Sequence, residues 1–155
     1  RQPVRVVVDA RGRVPVGARL FDEPGHVIVA TTRASDAGWR TAVGGRGAHV
    51  LECEAAEGGV NLQQLLQALA QRSITSVWAE GGGTLLGSLF DEGLVDELWA
   101  FIAPVVIGGG GLPAVGGKGV DFVRDAWRLR QVTTESVGED ILVRGYAGEW
   151  SPALD

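Results

Sequence analysis

A strand-like stretch, Thr75-Ser76-Val77-Trp78-Ala79, leads into Glu80 and three consecutive glycines, Gly81-Gly82-Gly83, before a helical pattern opens at Thr84. Each glycine loses more backbone entropy on folding than any other residue, so three in succession restrict what the segment can be. A strand turning sharply into a helix uses them well. The bare backbone can approach an anion with its amides aimed at it, and the new helix adds unpaired N–H groups and a positive dipole end. The segment therefore predicts a phosphate site over Gly82, Gly83, Thr84, Leu85, Leu86, Gly87 and Ser88. The plainer account is a tight turn with Thr84 as N-cap. Two common phosphate loops are excluded: no Gly-Lys-Ser/Thr follows, and a Rossmann pattern begun at Gly81 would need glycine or alanine where Leu86 stands. Gly109 to Ala114 fits the relaxed Rossmann pattern, but Val115-Gly116-Gly117-Lys118-Gly119 follows it instead of an amphipathic helix. That stretch reads as a mobile loop.

The rest of the chain supplies the frame. Val4 to Val8 reads as a buried strand, Asp9 to Arg13 as a turn, and His26 to Ala30 and Ala48 to Cys53 as further strands. Asn61 is a helix N-cap, and Leu62, Leu65, Leu66 and Leu69 recur at helical spacing, giving an amphipathic helix over 62–72. Ile74 to Ala79 is the strand entering the glycine loop. Thr84 to Asp91 is a helix that ends near Gly93. Asp96 to Ile107 is a strand ended or interrupted near Pro104. A glycine-rich loop covers 108–120. Trp127 to Val137 and Asp140 to Tyr146 are two strands joined by a Gly138-Glu139 hairpin turn, and the tail after Gly148 is loose. Strands alternate with helices up to about residue 104 and then follow one another directly. That order predicts an α/β fold whose sheet is mostly parallel, with antiparallel strands at the C-terminal end.

Ligands of open α/β sheets bind beyond the C-terminal ends of the strands. Glu80 stands at such an end, where a carboxylate can accept hydrogen bonds from substrate N–H or O–H groups. Arg11 and Arg13 follow the first strand and Thr31-Thr32-Arg33 the second; guanidinium forks and hydroxyls there suit a 2′-phosphate, although each residue alone fits a surface position as well. Residues 1–46 carry eight arginines against four acids, a net of +4, and the remainder carries −9, for −5 overall. This acidity opposes nucleic-acid or anionic-membrane binding. No apolar run approaches the roughly 20 residues of a membrane span, and no signal peptide is visible. Cys53 is the single cysteine, so a reducing, cytoplasmic setting and a small buried residue are expected. His26 and His49 lack neighbours at metal-ligand spacing, and no nucleophile elbow is present.

Taken in order, Gln2-Pro3-Val4-Arg5-Val6-Val7-Val8-Asp9, Arg13-Val14-Pro15, Val29-Ala30-Thr31-Thr32, Glu80-Gly81-Gly82-Gly83-Thr84-Leu85, Gly93-Leu94-Val95-Asp96-Glu97-Leu98, Ile102-Ala103-Pro104-Val105-Val106-Ile107-Gly108-Gly109 and Gly138-Glu139-Asp140 form a series. The series resembles the reductase domain of the bifunctional riboflavin-biosynthesis deaminase/reductase, from Arg1 to about Gly145. The resemblance implies a dihydrofolate-reductase-like mixed sheet with helices on both faces, and a homodimer. It implies reduction of 5-amino-6-(5-phosphoribosylamino)uracil, a phosphorylated pyrimidine, to the ribitylamino product with NADPH, hydride going to C1′ of the ring-opened imine. By motif, Glu80 contacts substrate and Gly82 to Ser88 hold cofactor phosphates. Ala10 stands where the family often has a hydroxyl residue that helps bind cofactor, and Gly83 where it often has Pro or Ser.

Nothing like the family's opening Ser-Leu-Asp-Gly-type segment precedes Arg1, and the chain contains no Met. The expectation is a piece of a longer polypeptide with the deaminase domain upstream: a reductase-type domain over 1–148 without its N-terminal segment, a tail over 149–155, and weak activity in isolation. Two other functions compete. One is reduction of another pterin-like heterocycle on the same fold; the other is a non-catalytic nucleotide-binding or dimerisation module.

Overall fold

The five residues Val27–Thr31 form a strand buried at every position, and the first half of the molecule is organised around it. A computed structural model describes residues 2–147. The expected loose tail and the 149–155 boundary lie outside the described residues. The chain divides into two compact units, residues 1–77 and residues 78–155.

In the first unit, β2 (Val27–Thr31) lies between β1 (Arg5–Val8) and β3 (His49–Glu52), and all three run parallel. Val27 and Val29 pack with Val43 and Ala48, joined by the partly buried Val16, Leu20, Phe21 and Trp39. Val43 and Trp39 come from helix α1 (Ala37–Gly45), which covers that face. Ile28 and Ala30, on the opposite face by strand alternation, are buried too, as a parallel sheet covered on both sides requires. β1 is half-buried rather than fully buried. A two-residue ladder, β4 (Ala55–Ala56) with β5 (Gly59–Val60), leads to helix α2 (Leu62–Ala70). Asn61 caps α2 by accepting from the Gln64 amide at 2.8 Å, and Leu62, Leu65 and Leu69 are buried, as the leucine spacing predicts.

The second unit contains helix α3 (Gly83–Asp91) and an antiparallel sheet of β6 (Glu97–Ile102), β7 (Arg130–Val137) and β8 (Asp140–Tyr146), ordered β6-β8-β7. Gly138 supplies the positive φ, 63°, of the expected two-residue hairpin. Trp78 stacks edge-on against Trp99 at 5.2 Å, and Phe90 against Trp127 at 6.0 Å.

Several expectations need correction. Ile74 to Ala79 belongs to no strand: residues 74–82 lie outside every ladder among the described residues, and Val77 and Trp78 are 49% and 61% exposed. β-propensity describes how a residue suits a paired, half-buried surface, and it makes no ladder without a neighbouring strand. The parallel and antiparallel strands accordingly form separate sheets. The strand over 96–107, by contrast, ends at Ile102, next to the break expected near Pro104. Helix α1 and the β4–β5 ladder are added elements that have no clear hydrophobic period.

Candidate functional site

Glycines set the local structure at α3. Its N-cap is Gly82 and not Thr84, with φ −68° and ψ 168°, and no side chain caps the helix. By contrast, α1 is capped by Asp36, which accepts from the Trp39 amide at 2.8 Å, and α2 by Asn61. The first amides of α3 have no intrahelical acceptor, and the dipole makes that end positive. A Cβ built on Gly82 meets nothing within 4 Å among the described residues, so its backbone is open to approach there. Thr84 is exposed, Leu85 and Leu86 are half-buried, and the Ser88 hydroxyl donates back to the Thr84 carbonyl at 3.1 Å. Glu80 is exposed on the unpaired stretch just before the loop.

Gly83 and Gly87 are used differently. A Cβ on Gly83 would come within 2.4 Å of the Pro113 carbonyl oxygen, and one on Gly87 within 2.3 Å of the Gly116 backbone. The Gly116 amide donates to the Gly83 carbonyl at 2.8 Å. The glycine-rich stretch read as a mobile loop is therefore fastened along α3 over residues 113–119. Gly87 is buried beneath it.

The remaining candidates belong to the first unit, where Arg11 and Arg13 are exposed in the turn after β1. Asp9, 4% exposed, organises that turn by accepting from the Val14 amide at 2.7 Å. Thr32 is buried, and its hydroxyl donates to the Ala10 carbonyl at 2.8 Å while accepting from the Ala34 amide at 3.1 Å. The structure thus brings the ends of β1 and β2 together, as their parallel pairing requires. Thr31 is fully buried, and its Oγ1 has no hydrogen-bond partner among the described residues. A cleft of about 460 Å³ opens beyond β2 and β3, lined by Thr32, Arg33, Glu52, Cys53, Glu54 and Gln64 among others. Arg33 donates to Glu52 across it at 2.9 Å, and burial pushes the Cys53 thiol pKa up. Glu80 and Gly82–Ser88 belong to the second unit.

Residues 1–143 match the family model described as the RibD C-terminal domain. The chain belongs to this family. The riboflavin biosynthesis protein RibD of Actinobacillus pleuropneumoniae is 34% identical over 146 residues, 92% of this chain and 39% of that protein. The 2,5-diamino-6-ribosylamino-4(3H)-pyrimidinone 5′-phosphate reductase of Methanothermobacter thermautotrophicus is 34% identical over 142 residues, 91% of this chain and 64% of that one. Among solved structures, Acinetobacter baumannii RibD superposes with a TM-score of 0.78 at 27% identity, over 93% of this chain and 37% of its own. The chain spans about two fifths of the length of the RibD proteins it matches. Its architecture is the dihydrofolate-reductase-like mixed α/β fold of these domains. Among the described residues, no helix is long and apolar enough to cross a membrane, and no three His, Cys, Asp or Glu side chains gather as a metal set.

In this RibD C-terminal domain, two carboxylates shape the candidate loops beyond the turn read over Asp9 to Arg13 and the helix end read at Asp91. Asp9 ties the turn bearing Arg11 and Arg13, and an Asp followed by Gly12 at a positive φ was a readable turn signal. Asp91 receives the 118–119 amides. Its spacing, four residues beyond Gly87 and eight beyond Gly83, puts the three on one helical stripe.

Proposed function

We propose that this chain is a reductase domain that uses NADPH to reduce 5-amino-6-(5-phosphoribosylamino)uracil to the ribitylamino product in riboflavin biosynthesis. The observation that carries the reading is the N-terminus of α3: uncapped, opened by Gly82, and free of any neighbour where a Cβ would sit. A pyrophosphate fits such a turn, because the backbone amides supply donors and no side chain blocks approach. Gly82, Gly83 and Thr84 present that turn, and Leu85 to Ser88 continue it as helix. Within the first unit, Arg11, Arg13 and Thr32 are assigned to a 2′-phosphate, whereas Thr31 is fully buried and lends no contact. Thr32 keeps its hydroxyl on the Ala10 carbonyl, which fixes the rim of its cleft. Glu80 is assigned to substrate, accepting from pyrimidine or ribose N–H and O–H groups. NADPH would supply the hydride, and the chain's own residues bind and orient the two reactants. A homodimer in the cytoplasm and a deaminase domain in the natural polypeptide accompany this reading.

Titration with NADP⁺ tests it. Gly82→Leu and Gly82→Asp should each lower affinity by at least about tenfold, the first by filling the approach and the second by placing a carboxylate beside phosphate. Neither should lower the melting midpoint, since position 82 has ordinary backbone angles and room for a side chain. Unchanged affinity in both variants would remove α3 from the cofactor site. A second reading, a non-catalytic nucleotide-binding module, is favoured by one observation: Glu80 is exposed on a stretch that joins no sheet. NADP⁺ binding without turnover of the phosphorylated pyrimidine would select it.

A further inference from the structure

Asp91 closes α3, where a carboxylate opposes the negative end of the helix dipole. Its surroundings account for the placement. Oδ2 accepts from the Lys118 amide at 2.7 Å and Oδ1 from the Gly119 amide at 3.4 Å. Gly117 and Gly119 have φ of +87° and +65°, and a Cβ on Gly117 would stand 2.4 Å from Oδ2. The backbone thus wraps a fixed carboxylate, with glycine at the position where any side chain would push the two apart. The same segment lies against Gly87 and donates from Gly116 to the Gly83 carbonyl at 2.8 Å. Gly83, Gly87 and Asp91 form one stripe along α3, and residues 113–119 follow it from the first turn to the last.

We propose that Asp91 is a positioning residue that pins the 113–119 segment along α3 and, through Gly116, fixes the first turn at Gly83 for a dinucleotide phosphate. The inference rests on the reading of that turn as the cofactor's phosphate site. Asp91 touches no ligand in this scheme. It anchors one end of a strap whose other end holds the binding turn.

Hydrogen exchange and NADP⁺ titration together test it, on the full chain and on Asp91→Ala, Asp91→Asn and Gly117→Ala. Asp91→Ala should speed exchange at Lys118 and Gly119 about tenfold or more, because two bonds to a charged acceptor are lost. Gly116 should exchange faster as well, while the β6–β8 amides keep wild-type protection, which separates local release from unfolding. NADP⁺ affinity should fall about tenfold in Asp91→Ala and Gly117→Ala and less in Asp91→Asn, whose amide oxygen still accepts one bond. Wild-type protection at Gly116, Lys118 and Gly119 in Asp91→Ala overturns the proposal. So does released exchange with unchanged NADP⁺ affinity. A wild-type chain that binds no NADP⁺ overturns the phosphate-turn reading itself and the coupling with it, even if exchange at Lys118 still depends on Asp91.

Discussion

In the first unit, β2 is buried at all five positions and Leu69, Val29 and Val43 are almost fully enclosed. In the second, β7 is exposed along its whole length, and Phe101, Ile107 and Leu112 are 55%, 80% and 98% exposed. The two sequences are similarly apolar, so composition does not separate them; the geometry of burial does. The first unit stacks branched side chains between a parallel sheet and its covering elements. The second is tied by antiparallel backbone pairing, by glycine-to-backbone contact along α3, and by polar links such as Arg144 to Glu97, which also raises the Arg144 pKa. Stability should therefore depend on side-chain volume in the first unit and on backbone fit in the second.

The largest expected effect is Leu69→Ala, which removes a side chain 1% exposed and should cost about 2–5 kcal/mol in urea unfolding. Val106→Ala, at 97% exposure, should stay within about 0.5 kcal/mol. Equal losses would break the comparison. Next comes Gly87→Ala. The added methyl meets the Gly116 backbone, and forcing it in should cost about 1–3 kcal/mol with faster amide exchange over 113–119. An unaltered stability would mean that the strap yields freely. The smallest effect concerns Cys53, whose thiol pKa burial raises above its ordinary 9.0. The folded state favours the neutral thiol, so its contribution is complete below that value and is lost as pH rises through the higher folded one. Cys53→Ser should flatten the alkaline end of the stability profile slightly, and an identical profile would show that the thiol is not effectively buried.

Legibility in the sequence followed the same divide. The leucine period of α2, its Asn61 cap and the Gly138 hairpin were plain because each depends on local residue types. Helix α1 was hidden: Gly38, Gly44 and Gly45 are poor helix formers, and what holds α1 is its Asp36 cap and the packing of Val43 and Trp39. The strand expected over 74–79 had the right residues but no paired neighbour, a condition that local propensity does not encode. The glycine loop at α3 was legible as a turn into a helix. Its division of labour was not, because that requires knowing where residues 113–119 lie. Only then do Gly83 and Gly87 separate from Gly82, the former crowded by backbone and the latter open.

That openness at Gly82 has an evolutionary consequence. Selection for folding alone has no reason to keep glycine there: the backbone angles suit any residue, and serine, asparagine or aspartate would cap the helix better by a few tenths of a kcal/mol. In a lineage freed from ligand binding, position 82 should drift toward such capping residues while Gly87, held by its neighbours, stays fixed. Residue 82 would then separate active members of the family from retired ones by inspection.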